Sequence, residues 1–248
     1  MTAAREFPQF FITASNPCPY LPGRMERKVF THLIGPAALA LNNQLSHSGF
    51  RRSQNIAYRP FCEACQACVS VRVPVARFRW SRSFRRVLAQ NADLTSTLIT
   101  GDEMRGHFPV FRAYIDARHE HGGMAEMDET DFTAMVDCGL VNSRLAEYRF
   151  APGHARAGDL AGAVLLDLLD DGLSMVYSYF DPALSARSPG TFLILDTLRR
   201  AAHLGLAHVY LGYWVEGSEK MAYKARFLPQ QRLGVDGWSE TGALPVSP

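Results

Sequence analysis

No stretch of the chain stays apolar for the roughly 20 residues that a bilayer-spanning helix needs. The first residues, MTAAREFPQFF, also lack the basic patch and long apolar run of a secretory leader. The expectation is a soluble, cytoplasmic protein with no membrane partner. Charge of one sign is missing as well. Lys plus Arg number 26 against 24 Asp plus Glu, a formal net charge of +2, so the chain has no global polyanion signature. Internal repeats and low-complexity segments are absent, which excludes solenoids and compositional linkers. Cysteine is scarce and odd in number, five in all, with three crowded together. That pattern argues against a disulfide framework and for metal binding or free thiols. What remains is 248 residues, 47% hydrophobic, enough for one large domain or two small ones.

The most informative stretch is Phe50 to Val75. It sets Arg51, Arg52 and Arg59 beside Gln54 and Asn55, and then places Cys62, Cys65 and Cys68 at C-x2-C-x2-C spacing. Guanidinium groups suit phosphate oxygens, and clustered thiols suit soft metal ions or an iron–sulfur cluster. Val75 to Arg86 follows, with Arg77, Arg79, Arg82, Arg85 and Arg86 interleaved with Phe78, Trp80 and Phe84. Basic and aromatic residues together can grip a nucleic acid through charge and stacking. The same spacing also fits a helix with aromatics inward and arginines in water.

The element order points to an α+β protein. Four prolines before residue 23 predict an extended lead-in. A strand is expected over Met25–His32, a helix from Pro36 to Leu45 stopped by Gly49, and a strand over Val69–Val73. Threonines and serines replace arginines near Asn91–Gly101, which sets a soft boundary between a smaller cysteine-containing α+β domain (1–95) and a second domain (96–248). In the latter, helices are expected over Glu103–Glu120 and Asp128–Val136, and strands over Ser143–Phe150, Leu160–Leu169 and Leu173–Phe180. A helix over Thr191–Leu204 capped by Gly205 and a strand over His208–Leu211 complete the order, and Cys138 is expected in the core. Helix, helix, antiparallel strands, helix, strand is the order of an N-acetyltransferase (GNAT-like) domain. Arg187-x-x-Gly190 resembles a shortened phosphate loop of that fold, with Phe192 where a small residue belongs. Gly212 to Phe227 emerges at a strand end, where ligand sites form, and gathers aromatics with Lys220, Lys224 and Arg226.

Several motifs together resemble one family. Pro17-Cys18-Pro19-Tyr20-Leu21-Pro22, Gly49-Phe50-Arg51-Arg52-Ser53-Gln54-Asn55, Tyr58-Arg59-Pro60 and the cysteine triplet are similar to the N-terminal half of the aminoacyl-tRNA–protein transferases. Tyr179-Phe180-Asp181-Pro182, Gly190-Thr191, Tyr210-Leu211-Gly212-Tyr213-Trp214 and Lys220-Met221-Ala222-Tyr223-Lys224 are similar to the C-terminal half. Length and cysteine spacing resemble the bacterial leucyl-transferring branch more than the eukaryotic arginyl-transferring one. The resemblance implies transfer of leucine from leucyl-tRNA to the N-terminal amine of proteins beginning with Asp or Glu. The new N-terminal leucine marks the product for degradation.

An aminoacyl ester is already activated, so transfer needs no cofactor: positioning, oxyanion stabilisation and removal of one proton suffice. The catalytic candidates are Tyr179, Tyr213 and Tyr223 for the oxyanion or a proton relay, and Asp181 and Glu216 for the acceptor ammonium. Arg72, Lys220, Lys224 and Arg226 are candidates for the acceptor carboxylate, and an Arg would hold it through two parallel bonds. Arg51, Arg52, Arg59, Arg79, Arg82, Arg85 and Arg86 are candidates for tRNA phosphates. Cys18, Cys62, Cys65 and Cys68 admit a structural zinc site, an iron–sulfur cluster such as some relatives carry, or packed reduced thiols. Competing readings are arginine as donor, an acyl-CoA-dependent N-acetyltransferase, and a non-catalytic tRNA-binding or metal-sensing protein.

Overall fold

A computed structural model describes residues 7–100, 104, 106–118, 124–136 and 141–241. Cys138 lies outside the described residues. No helix among them is long and apolar enough to cross a membrane.

The lead-in forms short strands β1 (Phe11–Ile12), β2 (Asn16–Pro17) and β3 (Met25–Glu26), then β4 (Lys28–His32). Helix α1 (Ala38–His47) ends where Gly49 turns the chain into β5 (Arg51–Ser53) and β6 (Ile56–Pro60). Strands β1, β4, β6 and β5 make a four-stranded sheet, while β2 and β3 pair separately. Strand β7 (Cys68–Pro74) leaves this region, and a 3-10 turn (Val75–Arg77) leads to α2 (Arg82–Gln90). The threonine- and serine-rich stretch after it is a strand, β8 (Leu94–Ile99), because its β-branched residues suit an exposed sheet edge. Helices α3 (Phe108–Arg118) and α4 (Glu129–Val136) precede strands β9 (Ser143–Phe150), β10 (Leu160–Leu168) and β11 (Gly172–Phe180). Helix α5 (Pro189–His203), strand β12 (His208–Val215), the short α6 (Glu219–Ala222) and the hairpin β13 (Gln230–Gly234) and β14 (Gly237–Thr241) follow.

The main sheet has eight strands in the order β14-β13-β7-β12-β11-β10-β9-β8. All neighbours are antiparallel except β11 and β12, the pair joined by the α5 crossover. Strand β7 sits inside this sheet against β12, so the first third of the chain supplies one of its central strands. Strand β10 is covered on both faces, and its near-continuous apolar run LAGAVLL follows from that.

One face of the sheet packs against α2 and α5, with Phe84, Val87, Leu195 and Leu198 in the core. The other packs against α3 and α4, with Phe111, Ile115, Phe132 and Met135. Mixed α and β elements are thus confirmed, with the first and last thirds joined through one sheet.

Candidate functional site

The site starts from a break in the sheet. Strands β11 and β12 pair only over Gly172–Ser174 and His208–Tyr210 and then part. Two irregularities coincide with the parting. The pairing of β11 with β10 skips a residue at Val176, and that of β12 with β7 skips one at Leu211. A bulge turns carbonyls out of strict alternation, so Met175 and Val176 both present theirs to one donor.

That donor is Arg51 of β5. Its Nη2 donates to the Met175 and Val176 carbonyls, both at 2.9 Å, and its Nη1 to the Leu211 carbonyl at 3.3 Å. Gly212 makes room for it. Its φ is +77°, and a Cβ there would stand 1.3 Å from Arg51 Nη1. Arg51 was expected on a tRNA-facing surface; it is instead a plug in the fork, contributed by the N-terminal sheet.

Past the fork, Lys224 is only 4% exposed, and its Nζ donates to the Tyr213 carbonyl at 2.6 Å. It has no ion pair among the described residues. Burial, reinforced by the Arg51 guanidinium, holds its proton affinity well below that of an ordinary lysine. A free acceptor-binding cation was expected here, and the enclosed amine does not fit that role. The Tyr213 hydroxyl donates to the Gly49 carbonyl at 2.8 Å and the Tyr58 carbonyl at 3.2 Å, tying β12 to the N-terminal sheet. Tyr223 is 44% exposed, and its hydroxyl has no hydrogen-bond partner among the described residues. Glu216 and Lys220 are exposed, and Arg226 lies over the Phe84 ring at 5.7 Å, on the α2 side.

The end of β11 is different from expectation. Tyr179 is 1% exposed, and its hydroxyl meets His107 Nδ1 at 2.7 Å. His107 Nε2 meets Glu147 at 3.0 Å, and Arg149 closes the chain at 2.9 Å. Burial lowers the His107 proton affinity; burial also pushes Glu147 up, but the bonds from Arg149 and His107 outweigh it and hold the carboxyl low. This is a core polar chain, and it keeps Tyr179 away from a substrate. Asp181 caps the 3-10 turn Pro182–Arg187 by accepting from the Ala183 amide at 3.0 Å, and it pairs with Arg156 at 2.9 Å. Sequence reading passed over Tyr177, two residues before Tyr179, whose buried hydroxyl has no partner among the described residues. Its spacing from Tyr179 was the available signal.

The remaining arginines sort by burial. Arg52 is enclosed and holds Asp167 through two 2.7 Å bonds, with Ser143 Oγ at 2.8 Å. Removing one partner of such a pair costs about 3–5 kcal/mol. Arg72 donates to Gln231 at 2.7 Å, Tyr210 at 2.9 Å and Asp171 at 3.3 Å, and lies 4.4 Å over Trp238. Neither is free for a ligand: Arg52 does not reach tRNA as expected, nor Arg72 an acceptor carboxylate. Arg59 is exposed beside Phe50. Arg79, Arg82, Arg85 and Arg86 are exposed as well, while Phe78 and Phe84 point into the core. The aromatics of this stretch therefore pack and do not stack on a ligand, whereas its arginines form a basic face.

Cys18, Cys62, Cys65 and Cys68 are reduced thiols from three segments. Cys68 is pushed up to about 12 by burial and then by Cys18, Cys62 and Cys65, so the four converge. A backbone amide at Ala67 and then Arg24, whose Nη1 is 3.2 Å from the sulfur, hold Cys65 below an ordinary thiol. Among the described residues, only His47, Asp170 and Asp171 bring three ligand atoms within 4.8 Å. Asp171 there already serves Arg72, Tyr210 and His208. The thiols match a zinc or iron–sulfur site in number and kind, though not drawn together as a closed shell. Tyr20, pushed up to about 12 by burial and then Tyr58, lies within reach of both Arg51 and Cys68. Cys68 opens the strand whose Val71 pairs with Gly212 at the fork.

Residues 16–86 match the model for "Arginine-tRNA-protein transferase, N terminus" and residues 106–234 that for "Arginine-tRNA-protein transferase, C terminus". The aspartate/glutamate leucyltransferase of Nitrobacter winogradskyi is 56% identical over 97% of this chain and 95% of its own length. That of Bradyrhizobium sp. (strain ORS 278) is also 56% identical, over 98% and 97%. Among solved structures, FemX superposes with a TM-score of 0.50 at 10% identity, covering 73% of this chain and 61% of that one, a likeness of fold alone.

Proposed function

The chain belongs to the arginine-tRNA-protein transferase family, and we propose that it transfers leucine from leucyl-tRNA to the N-terminal amine of proteins beginning with Asp or Glu. The observation that carries this reading is full-length identity of 56% to aspartate/glutamate leucyltransferases. The product, a protein with N-terminal leucine, is marked for degradation.

The fork supports a GNAT-like transfer domain over 96–248, in which the parting strands β11 and β12 receive the donor's acyl end. Residues 1–95 then form an N-terminal unit that lends β7 and Arg51 to it. The reaction forms a C–N bond from the acceptor amine to the leucyl carbonyl and breaks the ester C–O bond to the tRNA ribose. One proton leaves the amine and one reaches the departing ribose oxygen. An N-terminal α-amine has a reference pKa of about 7.7–8.0, so a useful fraction is neutral near neutrality. Lys224 serves as the proton acceptor, since burial and then the Arg51 guanidinium lower its proton affinity well below that of an ordinary lysine. Tyr223, whose hydroxyl has no hydrogen-bond partner among the described residues, donates to the oxyanion of the tetrahedral intermediate. Arg51 holds the fork open and adds a fixed positive charge beside both.

Arg79, Arg82, Arg85 and Arg86 provide the tRNA-facing surface, extended by Arg59 and Arg226. No cofactor takes part in the transfer. Cys18, Cys62, Cys65 and Cys68 would hold zinc or an iron–sulfur cluster as a structural node next to the fork. The test offers labelled leucyl-tRNA, arginyl-tRNA or acetyl-CoA together with peptides beginning Asp, Glu or Ala. Label from leucyl-tRNA on the acidic peptides alone is expected. Label only from acetyl-CoA, or only from arginyl-tRNA, overturns the reading.

A further inference from the structure

An acceptor that begins with Asp or Glu brings a carboxylate, yet the cations first considered for it are committed or lie elsewhere. Arg72 is held by Gln231, Tyr210, Asp171 and Trp238, and Lys224 is enclosed on the Tyr213 carbonyl. Arg226 lies over Phe84, and Lys220 is a solvated residue of a one-turn helix.

Arg118 differs from all of them. It closes α3 one turn beyond Tyr114 and two beyond Phe111, so it continues the stripe that faces the sheet. Its guanidinium lies 5.2 Å over the ring of Phe180, the last residue of β11, and Tyr114 meets the same ring edge-on at 4.9 Å. The ring supports the guanidinium, whose N–H groups have no hydrogen-bond or ion-pair partner among the described residues. Phe180 ends the strand that parts from β12, so Arg118 stands at the open end of the fork, and after burial the Arg51, Tyr114 and Arg118 side chains act on the Tyr223 phenol.

We propose that Arg118 is the specificity-determining residue that binds the side-chain carboxylate of the acceptor's first residue, an assignment that rests on the leucyltransferase reading. A planar guanidinium matches a carboxylate through two parallel N–H···O bonds. Its position at a helix end, exposed and stacked on one side only, accommodates the one-methylene difference between Asp and Glu. The amides of Asn and Gln turn an N–H toward another N–H and lose one bond of the pair.

The experiment compares wild type, Arg118→Gln and Arg118→Glu, each with leucyl-tRNA and peptides beginning Asp, Asn or Lys. Arg118→Gln is expected to lower kcat/KM for the Asp peptide by about 10- to 150-fold, the value of one charge-assisted hydrogen bond. The Asn peptide should be little affected, so the Asp-over-Asn preference collapses. Arg118→Glu is expected to favour the Lys peptide over the Asp peptide. An intact Asp-over-Asn preference in both variants overturns the assignment. If that preference is intact and KM for leucyl-tRNA rises, Arg118 instead binds a donor phosphate, which also overturns it. A wild type that leaves the Asp peptide unlabelled refutes the leucyltransferase reading itself, a result visible before any variant is compared.

Discussion

At the scale of single residues, Lys224 and Arg51 stand apart from the other basic residues through where they are buried. The sequence shows Lys224 in a basic and aromatic segment at a strand end and suggests a solvent-facing cation, whereas the structure encloses its amine on the Tyr213 carbonyl. Nothing in the local pattern distinguishes a lysine turned inward beneath Tyr213 from one turned to solvent; that depends on β12 and β7 meeting. Burial together with Arg51 lowers the proton affinity of Lys224, so over the pH range from that lowered value up to about 10.4 the unfolded chain binds a proton that the folded chain does not. This residue's contribution to stability therefore rises with pH. Denaturant unfolding of Lys224→Met against wild type is expected to favour the variant most at neutral pH, with the difference moving toward wild type as pH approaches 10. A difference independent of pH contradicts the lowered proton affinity of Lys224. Arg51 and Arg52, adjacent in sequence and equally basic, part company for the same reason. One enters the fork, the other pairs with Asp167, and only alternation along β5 sends them to opposite faces.

At the scale of elements, the long periodic segments were legible: α3, α4, β9, β10, β11 and α5 fall close to where apolar spacing and caps put them. Strands β8, β13 and β14 were not, because they are short, lie at or next to a sheet edge and bury few side chains. The bulges at Val176 and Leu211 were equally hidden, since a skipped residue depends on the register of two strands at once. Helix α2 resolves the choice its sequence left open. Ser81 caps it by accepting from the Phe84 amide at 3.2 Å, and its apolar side packs on α5. No acid occupies its first turn, and Arg82 stands there instead, against the helix dipole. Such a placement is tolerated best where an anion lies opposite. Replacing Arg82, Arg85 and Arg86 by Gln is expected to weaken leucyl-tRNA binding. The log–log salt slope should shrink by about 0.7 to 0.9 for every phosphate no longer neutralised. An unchanged slope removes α2 from the tRNA surface.

At the scale of the whole molecule, the family was legible because its motifs run in order along nearly the full chain, while the joining of its parts was not. A boundary near residue 95 follows composition, yet β7 crosses into the main sheet and Arg51 reaches the fork from the N-terminal sheet. The main sheet therefore joins the two halves, and the proposed centre is where the N-terminal Arg51 guanidinium and the buried Lys224 amine approach the fork. The most direct measurement of that claim is the single-turnover rate of leucine transfer from leucyl-tRNA to a peptide beginning with Asp, in wild type and in Lys224→Met, with tRNA affinity measured in parallel. A fall of about 10²- to 10⁴-fold in rate with tRNA affinity preserved is the expected result. A Lys224→Met protein that transfers leucine at close to the wild-type rate contradicts it.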